Sequence, residues 1–236
     1  MGPATGVRHL DDGRVARWTF TDRHHGDLRV DGDPDDLAAR RAGVAPTPWT
    51  WLRQVHGAEV VVARHPGDGA GTAADAVATV TTGATVAVHT ADCAPVVLVA
   101  PTGAVAVAHA GWRGLTEGVL EEAVAALRDL TGDHRVEAAL GPCVHPECYA
   151  FGADDLARVV DRFGPAVASR TADGDPALDL PAAVRAALGA VDVAVDDHEG
   201  GCTACGDRWW SHRARADAAR QAAVAWIEPD TIEAAP

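Results

Sequence analysis

Two stretches of this chain are apolar almost without interruption. Residues 87–100 and 104–110 run through Ala, Val and Leu, and each has a chemically capable residue at one end. Runs of this length, rich in β-branched residues, predict buried strands. Cys93 follows Asp92 and precedes Pro95 in the first run. His109 ends the second and opens the turn Gly111-Trp112-Arg113-Gly114. A buried strand requires neither a thiol beside a carboxylate nor an imidazole beside a glycine turn. The pair is therefore read as the floor of a site.

The rest of the chain carries shorter signals. Residues 14–30 predict strand, turn, strand through Val15, Trp18 and Phe20, then Leu28 and Val30. Asp33-Pro34-Asp35-Asp36 opens a helix that stops at Gly43, with acids at the positive end of its dipole. Residues 49–57 alternate and end in a turn, and 59–63 form a β-branched strand. Residues 75–81 and 85–88 predict strands. The clearest helix spans 115–130, with Leu115, Val119, Leu120, Ala123, Leu127 and Leu130 on one face. Further strands are expected at 136–140 and 191–195, and helices at 154–163 and 180–188. Segments 209–212 and 222–227 read as extended and as possible partners, and the tail from Pro229 as frayed. Strands outnumber helices, and many are joined by turns too short for a crossover helix. The pattern predicts an α+β fold, a single domain over 1–236, with mixed or antiparallel β-sheets flanked by helices.

Composition narrows the functions. The 236 residues carry a formal net charge of −14. That balance argues against nucleic-acid binding, which needs a basic face. All 20 basic residues are Arg, so lysine Schiff-base chemistry is absent. The start of the chain has no apolar leader-like run, and no apolar stretch approaches a membrane span. The expectation is a cytoplasmic protein without membrane or nucleic-acid partners, a monomer or weak homodimer. Five cysteines favour metal binding or catalysis over a disulfide framework.

His56, Cys93 and His109 all sit at strand ends beside turns. Two imidazoles and a thiolate suit Zn²⁺, and three protein ligands leave a fourth position open. The plainer reading is a buried thiol with two hydrogen-bonded histidines. Cys202-Thr203-Ala204-Cys205 is half of a structural zinc site, with Cys143 and Cys148 available as the other half. His89, four residues before Cys93, shares a strand face with it if the segment is regular. Arg113, between glycines and before a helix, is placed to hold an anion or to cap a carbonyl. The eleven histidines include no His-x-His pair, which speaks against a multicopper centre and makes copper a weaker expectation than zinc.

Arg53-Gln54-Val55-His56-Gly57, Thr90-Ala91-Asp92-Cys93-Ala94-Pro95-Val96, Ala108-His109-Ala110-Gly111-Trp112-Arg113-Gly114, Leu140-Gly141-Pro142-Cys143 and Cys202-Thr203 occur in that order. Together they resemble the YfiH family, also called the laccase-domain, polyphenol oxidase or peptidoglycan editing factor family. The resemblance runs from about Phe20 to about Ile227. It implies a YfiH-like α+β fold and zinc bound by His56, Cys93 and His109. It implies phosphorolysis of purine nucleosides (adenosine, inosine, methylthioadenosine), with adenosine deamination as a side activity. The alternative activity is hydrolysis of a wrongly incorporated L-Ser from a UDP-MurNAc peptidoglycan precursor. A third reading is a zinc-stabilised scaffold binding a nucleotide or protein. The expected roles are substrate binding by Arg23, Gln54 and Arg113, with Asp92, Cys93 and Arg113 at the reaction centre. Three features depart from the family pattern. The N-terminal motif is replaced by Thr21-Asp22-Arg23-His24-His25-Gly26, the late motif reads Ala219-Arg220-Gln221, and His89 stands where an apolar residue is usual.

Overall fold

The computed structural model describes residues 4–45, 47–197 and 201–229. Along them the chain runs β1 (Ala4–His9), β2 (Val15–Phe20), α1 (Pro34–Val44), β3 (Trp49–Arg53), β4 (Val60–Val62), β5 (Thr72–Ala73), β6 (Ala76–Thr79), β7 (Thr85–Thr90), β8 (Ala94–Ala100) and β9 (Ala104–Ala110). It continues through α2 (Trp112–Glu117), α3 (Val119–Thr131), β10 (Glu137–Leu140), α4 (Ala153–Phe163), β11 (Ala168–Arg170), β12 (Pro176–Leu178), α5 (Leu180–Gly189), β13 (Val195–Asp197), α6 (His212–Arg215) and β14 (Gln221–Glu228).

The uninterrupted apolar runs have a simple cause. Strands β8 and β9 lie inside a sheet that is covered on both faces, so neither parity of side chain meets water. Val96 and Leu98 of β8 and the alanines of β9 face the helical layer of Leu115, Leu120, Val124, Leu127 and Val184. Val97, Val99, Val105 and Val107 face a second sheet and meet Val86, Val88, Ala223, Ala225 and Ile227. The alanines of β9 let α3 approach closely.

The two sheets are mixed, each of six strands. One has the order β1-β2-β14-β7-β3-β5 and the other β13-β10-β8-β9-β6-β4. The outer face of the first is covered by α1 and the loop before it, with Leu37 and Leu28 packed in one cluster with Trp49, Ala87 and Val224 of the sheet. The architecture is the expected α+β arrangement. Among the described residues no helix is long and apolar enough to cross a membrane.

Four local expectations change. Leu28 and Val30 form no strand; the chain turns at 23–25 under an Asp22 cap, and Leu28 is buried beneath α1. The helix expected at 115–130 is two helices, because Gly118 adopts φ 94° and ends α2 while opening α3. Segment 209–212 does not pair with β14, whose two edges are taken by β2 and β7. Instead the Gln221 side chain bridges to Trp210, accepting its N–H at 2.7 Å and donating to its carbonyl at 3.1 Å. The strand expected at 191–195 begins only at Val195, beside β10, after a turn at 191–192. Strand β1 had no clear periodic signal and pairs with β2 at the sheet edge. Of the tail, residues 230–236 lie outside the described residues.

Candidate functional site

Register builds the site. In the β8–β9 hairpin Pro95 pairs with His109, which brings Cys93, just before β8, alongside the end of β9. Strand β6 flanks β9 on its other side with Ala76 opposite Ala108, so Asp75 falls beside His109. His56 arrives from the turn after β3. One donor atom from each of His56, Cys93 and His109 lies within 4.8 Å of the others.

Asp75 organises this meeting. It is fully buried, and its carboxylate accepts the backbone N–H groups of Val55 at 3.0 Å, His56 at 3.0 Å and Gly57 at 2.8 Å. It also lies 2.8 Å from His109 Nδ1. A carboxylate facing that nitrogen keeps a proton on Nδ1, so Nε2 is the nitrogen that can ligate a metal once its own proton leaves. The same three amide bonds hold His56 in its left-handed conformation, φ 60°. Sequence reading placed Asp75 only as the start of a strand. Its signal was a lone acid opening an apolar strand, since a buried carboxylate needs partners.

The electrostatics suit a metal-binding thiolate. Burial works against the Cys93 thiolate, but His109 and His56 outweigh it and bring the thiol down to about 6. Burial likewise opposes a charged His109, yet Cys93 and Asp75 raise it to about 9. A cation held by Cys93 and His109 would require the proton on His109 Nε2 to leave, while Asp75 retains the one on Nδ1. Cys93 Sγ and His56 Nε2 are 3.9 Å apart. Tetrahedral zinc would set this spacing at about 3.5 Å, from Zn–S of about 2.3 Å and Zn–N of about 2.0 Å. A Cβ on Gly111 would stand 2.8 Å from His56 Cδ2 and 3.1 Å from Cys93 Sγ. The bare glycine therefore keeps this space clear, and the trio fits a zinc-class ion.

The trio opens into a cavity of about 770 Å³ also lined by Arg29, Arg53, Gln54, His89 and Arg220. That size is ordinary for a small-molecule site. His89 is 6% exposed, and neither ring nitrogen has a hydrogen-bond partner among the described residues. Burial, with Arg41, His109 and Arg220 nearby, lowers it to about 3, so the ring is neutral. His89 and Cys93 do not share a strand, because β7 ends at Thr90 and the chain bends through 91–93.

The other expected site residues have different surroundings. Gln54 is in the cavity wall, but its amide is committed to the backbone of His89, donating to the carbonyl at 2.7 Å and accepting the N–H at 2.8 Å. Arg23 is outside the cavity lining; it pairs with Asp217 at 2.7 Å, donates to the Trp209 carbonyl and stacks on Trp210. Arg113 is exposed, stacks on Trp112 at 4.4 Å and is likewise absent from the cavity wall. Arg53, which the sequence reading did not single out, lines the cavity and has no ion pair or hydrogen bond from its side chain among the described residues.

Asp92 is buried, and its carboxylate accepts the Thr203 hydroxyl at 2.6 Å and the Arg213 backbone N–H at 2.6 Å. Its own carbonyl accepts the Val144 N–H at 2.9 Å. These bonds hold a non-glycine residue at φ 102°, a conformation costing about 1–3 kcal/mol. With its carboxylate committed to these two donors, Asp92 ties the Cys93 turn to the segment after Cys202.

Comparison with known proteins finds relatives over most of the chain. A purine nucleoside phosphorylase of Streptomyces coelicolor is 38% identical over 196 residues, covering 82% of this chain and 81% of the relative. One from Streptomyces griseus is 35% identical over 248 residues, covering 96% and 97%. Among solved structures, a Neisseria meningitidis protein superposes with a TM-score of 0.82 at 26% identity, covering 97% of this chain and 100% of that one. YlmD from Geobacillus stearothermophilus gives 0.76 at 27%, covering 92% and 93%. The family model described as multi-copper polyphenol oxidoreductase laccase matches residues 24–228, and the chain belongs to that laccase-type family, the family of YfiH.

Proposed function

We propose that this chain is a purine nucleoside phosphorylase with zinc held by His56, Cys93 and His109. The observation that carries the reading is the convergence of those three donors, backed by Asp75, at a cavity whose wall includes Arg53, which has no ion pair among the described residues. The chain's similarity to proteins named purine nucleoside phosphorylase supports the substrate class. Zinc, when bound, supplies a Lewis acid beside the cavity.

In phosphorolysis the bond between the sugar C1′ and the base nitrogen breaks. A phosphate oxygen bonds to C1′, and the base leaves with a proton. Arg53 is suited to hold the phosphate through its planar fork. Arg220 reaches the same wall, with one guanidinium nitrogen donating to the carbonyls of Asp217, Ala218 and Ala219. His89, neutral and without a hydrogen-bond partner among the described residues, lines the same wall. Asp75 holds the proton of His109 on Nδ1, away from the cavity. Asp92 fixes the turn that presents Cys93.

Adenosine, inosine and methylthioadenosine are the proposed substrates, with adenosine deamination as a side activity and no larger partner. The test is a nucleoside panel with zinc-loaded protein, with and without phosphate. The expected result is phosphate-dependent release of free base. Turnover confined to a UDP-MurNAc-L-Ser precursor, or none at all, would overturn the reading.

A further inference from the structure

We propose a second cation site, built from Glu147, Cys148, Cys202 and Cys205, that takes one zinc-class divalent ion and has a structural role. It is separate from the cavity above and does not depend on the function proposed for it.

One donor atom from each of the four residues lies within 4.8 Å of the others. Cys148 and Cys205 sulfurs are 3.4 Å apart, and Cys205 Sγ is 3.4 Å from Glu147 Oε1. In a tetrahedral zinc site two sulfurs stand about 3.8 Å apart, so the cluster needs only small adjustment to close on an ion. Four protein donors, three of them thiols, match the closed type of zinc site rather than the open catalytic type.

Two segments deliver the donors. The turn at Pro146–Cys148 presents Glu147 and Cys148. The Cys-x-x-Cys at 202–205 presents the other two. A parallel bridge between Cys143 and Cys202, with the Thr203 N–H donating to the Cys143 carbonyl at 3.0 Å, sets them side by side. The His145 backbone N–H points at Cys202 Sγ from 3.3 Å, the kind of outer contact that supports a ligating thiolate. Cys143, a candidate for this site on sequence grounds, is buried and lies outside the group. Its place is taken by Glu147. A Cys148–Cys205 disulfide would account for two of these groups. It would leave the third thiol and the carboxylate at the same point without a reason.

The consequence is mechanical. Thr203 lies within the Cys-x-x-Cys, and its hydroxyl is the one that holds Asp92 beside Cys93. An ion at the cluster would fix the 202–206 segment and, through Thr203 and Asp92, steady the Cys93 turn.

Metal content of the full-length protein tests this. Wild type loaded with zinc under reducing conditions should carry about two ions per chain, and Cys202→Ser or Cys205→Ser about one. The deciding measurement uses Cys93→Ala, in which the cavity site is disabled and the cluster is intact. It should still bind about one cobalt ion per chain with strong thiolate-to-cobalt charge-transfer absorption. Adding Glu147→Gln to that variant should weaken cobalt binding. A Cys93→Ala protein that binds no cobalt through thiolates, or a wild type whose zinc content is unchanged by either cysteine substitution, would overturn the proposal. So would a Cys148–Cys205 disulfide in the folded, metal-loaded protein.

Discussion

Replacing Asp75 by Asn removes one charge and almost no volume, so the change acts through hydrogen bonding. Four donors converge on the carboxylate: the N–H groups of Val55, His56 and Gly57, and His109 Nδ1. Asparagine has one oxygen and one NH₂ group to meet them. If the oxygen faces His56 and His109, the NH₂ confronts Val55 and Gly57 and two amides lose their acceptor. At about 1–3 kcal/mol for each orphaned donor, that orientation costs about 2–6 kcal/mol. In the opposite orientation the oxygen serves Val55 and Gly57, and the NH₂ faces His56 and His109. His109 escapes by moving its proton to Nε2, and only the His56 amide is orphaned, at about 1–3 kcal/mol. The second orientation wins. Its effect falls on the metal, because Nε2 now carries the proton. Zinc affinity should drop about 10- to 100-fold, the usual scale for losing an outer partner of a ligating histidine. Chelator competition at neutral pH measures the affinity, and urea unfolding of the metal-free protein measures stability. A folded Asp75→Asn protein with wild-type zinc affinity would refute the argument.

The same geometry gives three further expected outcomes. His89 is held near 3 against an ordinary 6.5, so from about pH 8 down to about pH 5 the unfolded chain binds a proton that the folded chain refuses, and stability falls as pH falls. Metal-free wild type should lose about 2 kcal/mol more over that interval than His89→Leu in urea titrations; equal losses would count against a neutral buried ring. Gly111→Ala suits the backbone at φ −73°, but its Cβ crowds His56 and Cys93. Overpacking of about 1–3 kcal/mol should appear as a zinc affinity lower by about 5- to 150-fold, read by the same competition. Arg53→Ala should raise the KM for phosphate by about 10- to 100-fold, the loss of a charge-assisted bond, whereas Arg113→Ala should leave it near wild type; the reverse ranking would restore Arg113 as the anion contact.

Much of the local structure was legible because it depends on neighbours in the chain. The helix from Pro34 has its acidic first turn and an Asp33 side chain accepting two N–H groups. The runs that became β8 and β9 were apolar enough to be strands whatever lay around them. The donor trio was legible for a different reason: thiol and imidazole at strand ends are chemically costly ornaments, so their residue types alone suggested a site.

Pairing was not written in any one stretch. Asp75 is one acid among many until β6 docks on β9 and β4, when its carboxylate becomes the acceptor for three amides and a histidine. Arg23 and Arg113 look like anion contacts in sequence, yet Asp217 and Trp210 claim the first, and the start of α2 turns the second to solvent. Glu147 joined three cysteines only because a bridge from Cys143 to Cys202 brought two distant loops together. Sequence by itself determined which segments are helix or strand and which residue types can bind metal, since both depend on nearest neighbours and side-chain chemistry. Tertiary structure decided which carboxylate serves which donor and which arginine faces the cavity. Those choices depend on sheet register and on the groups that become buried together.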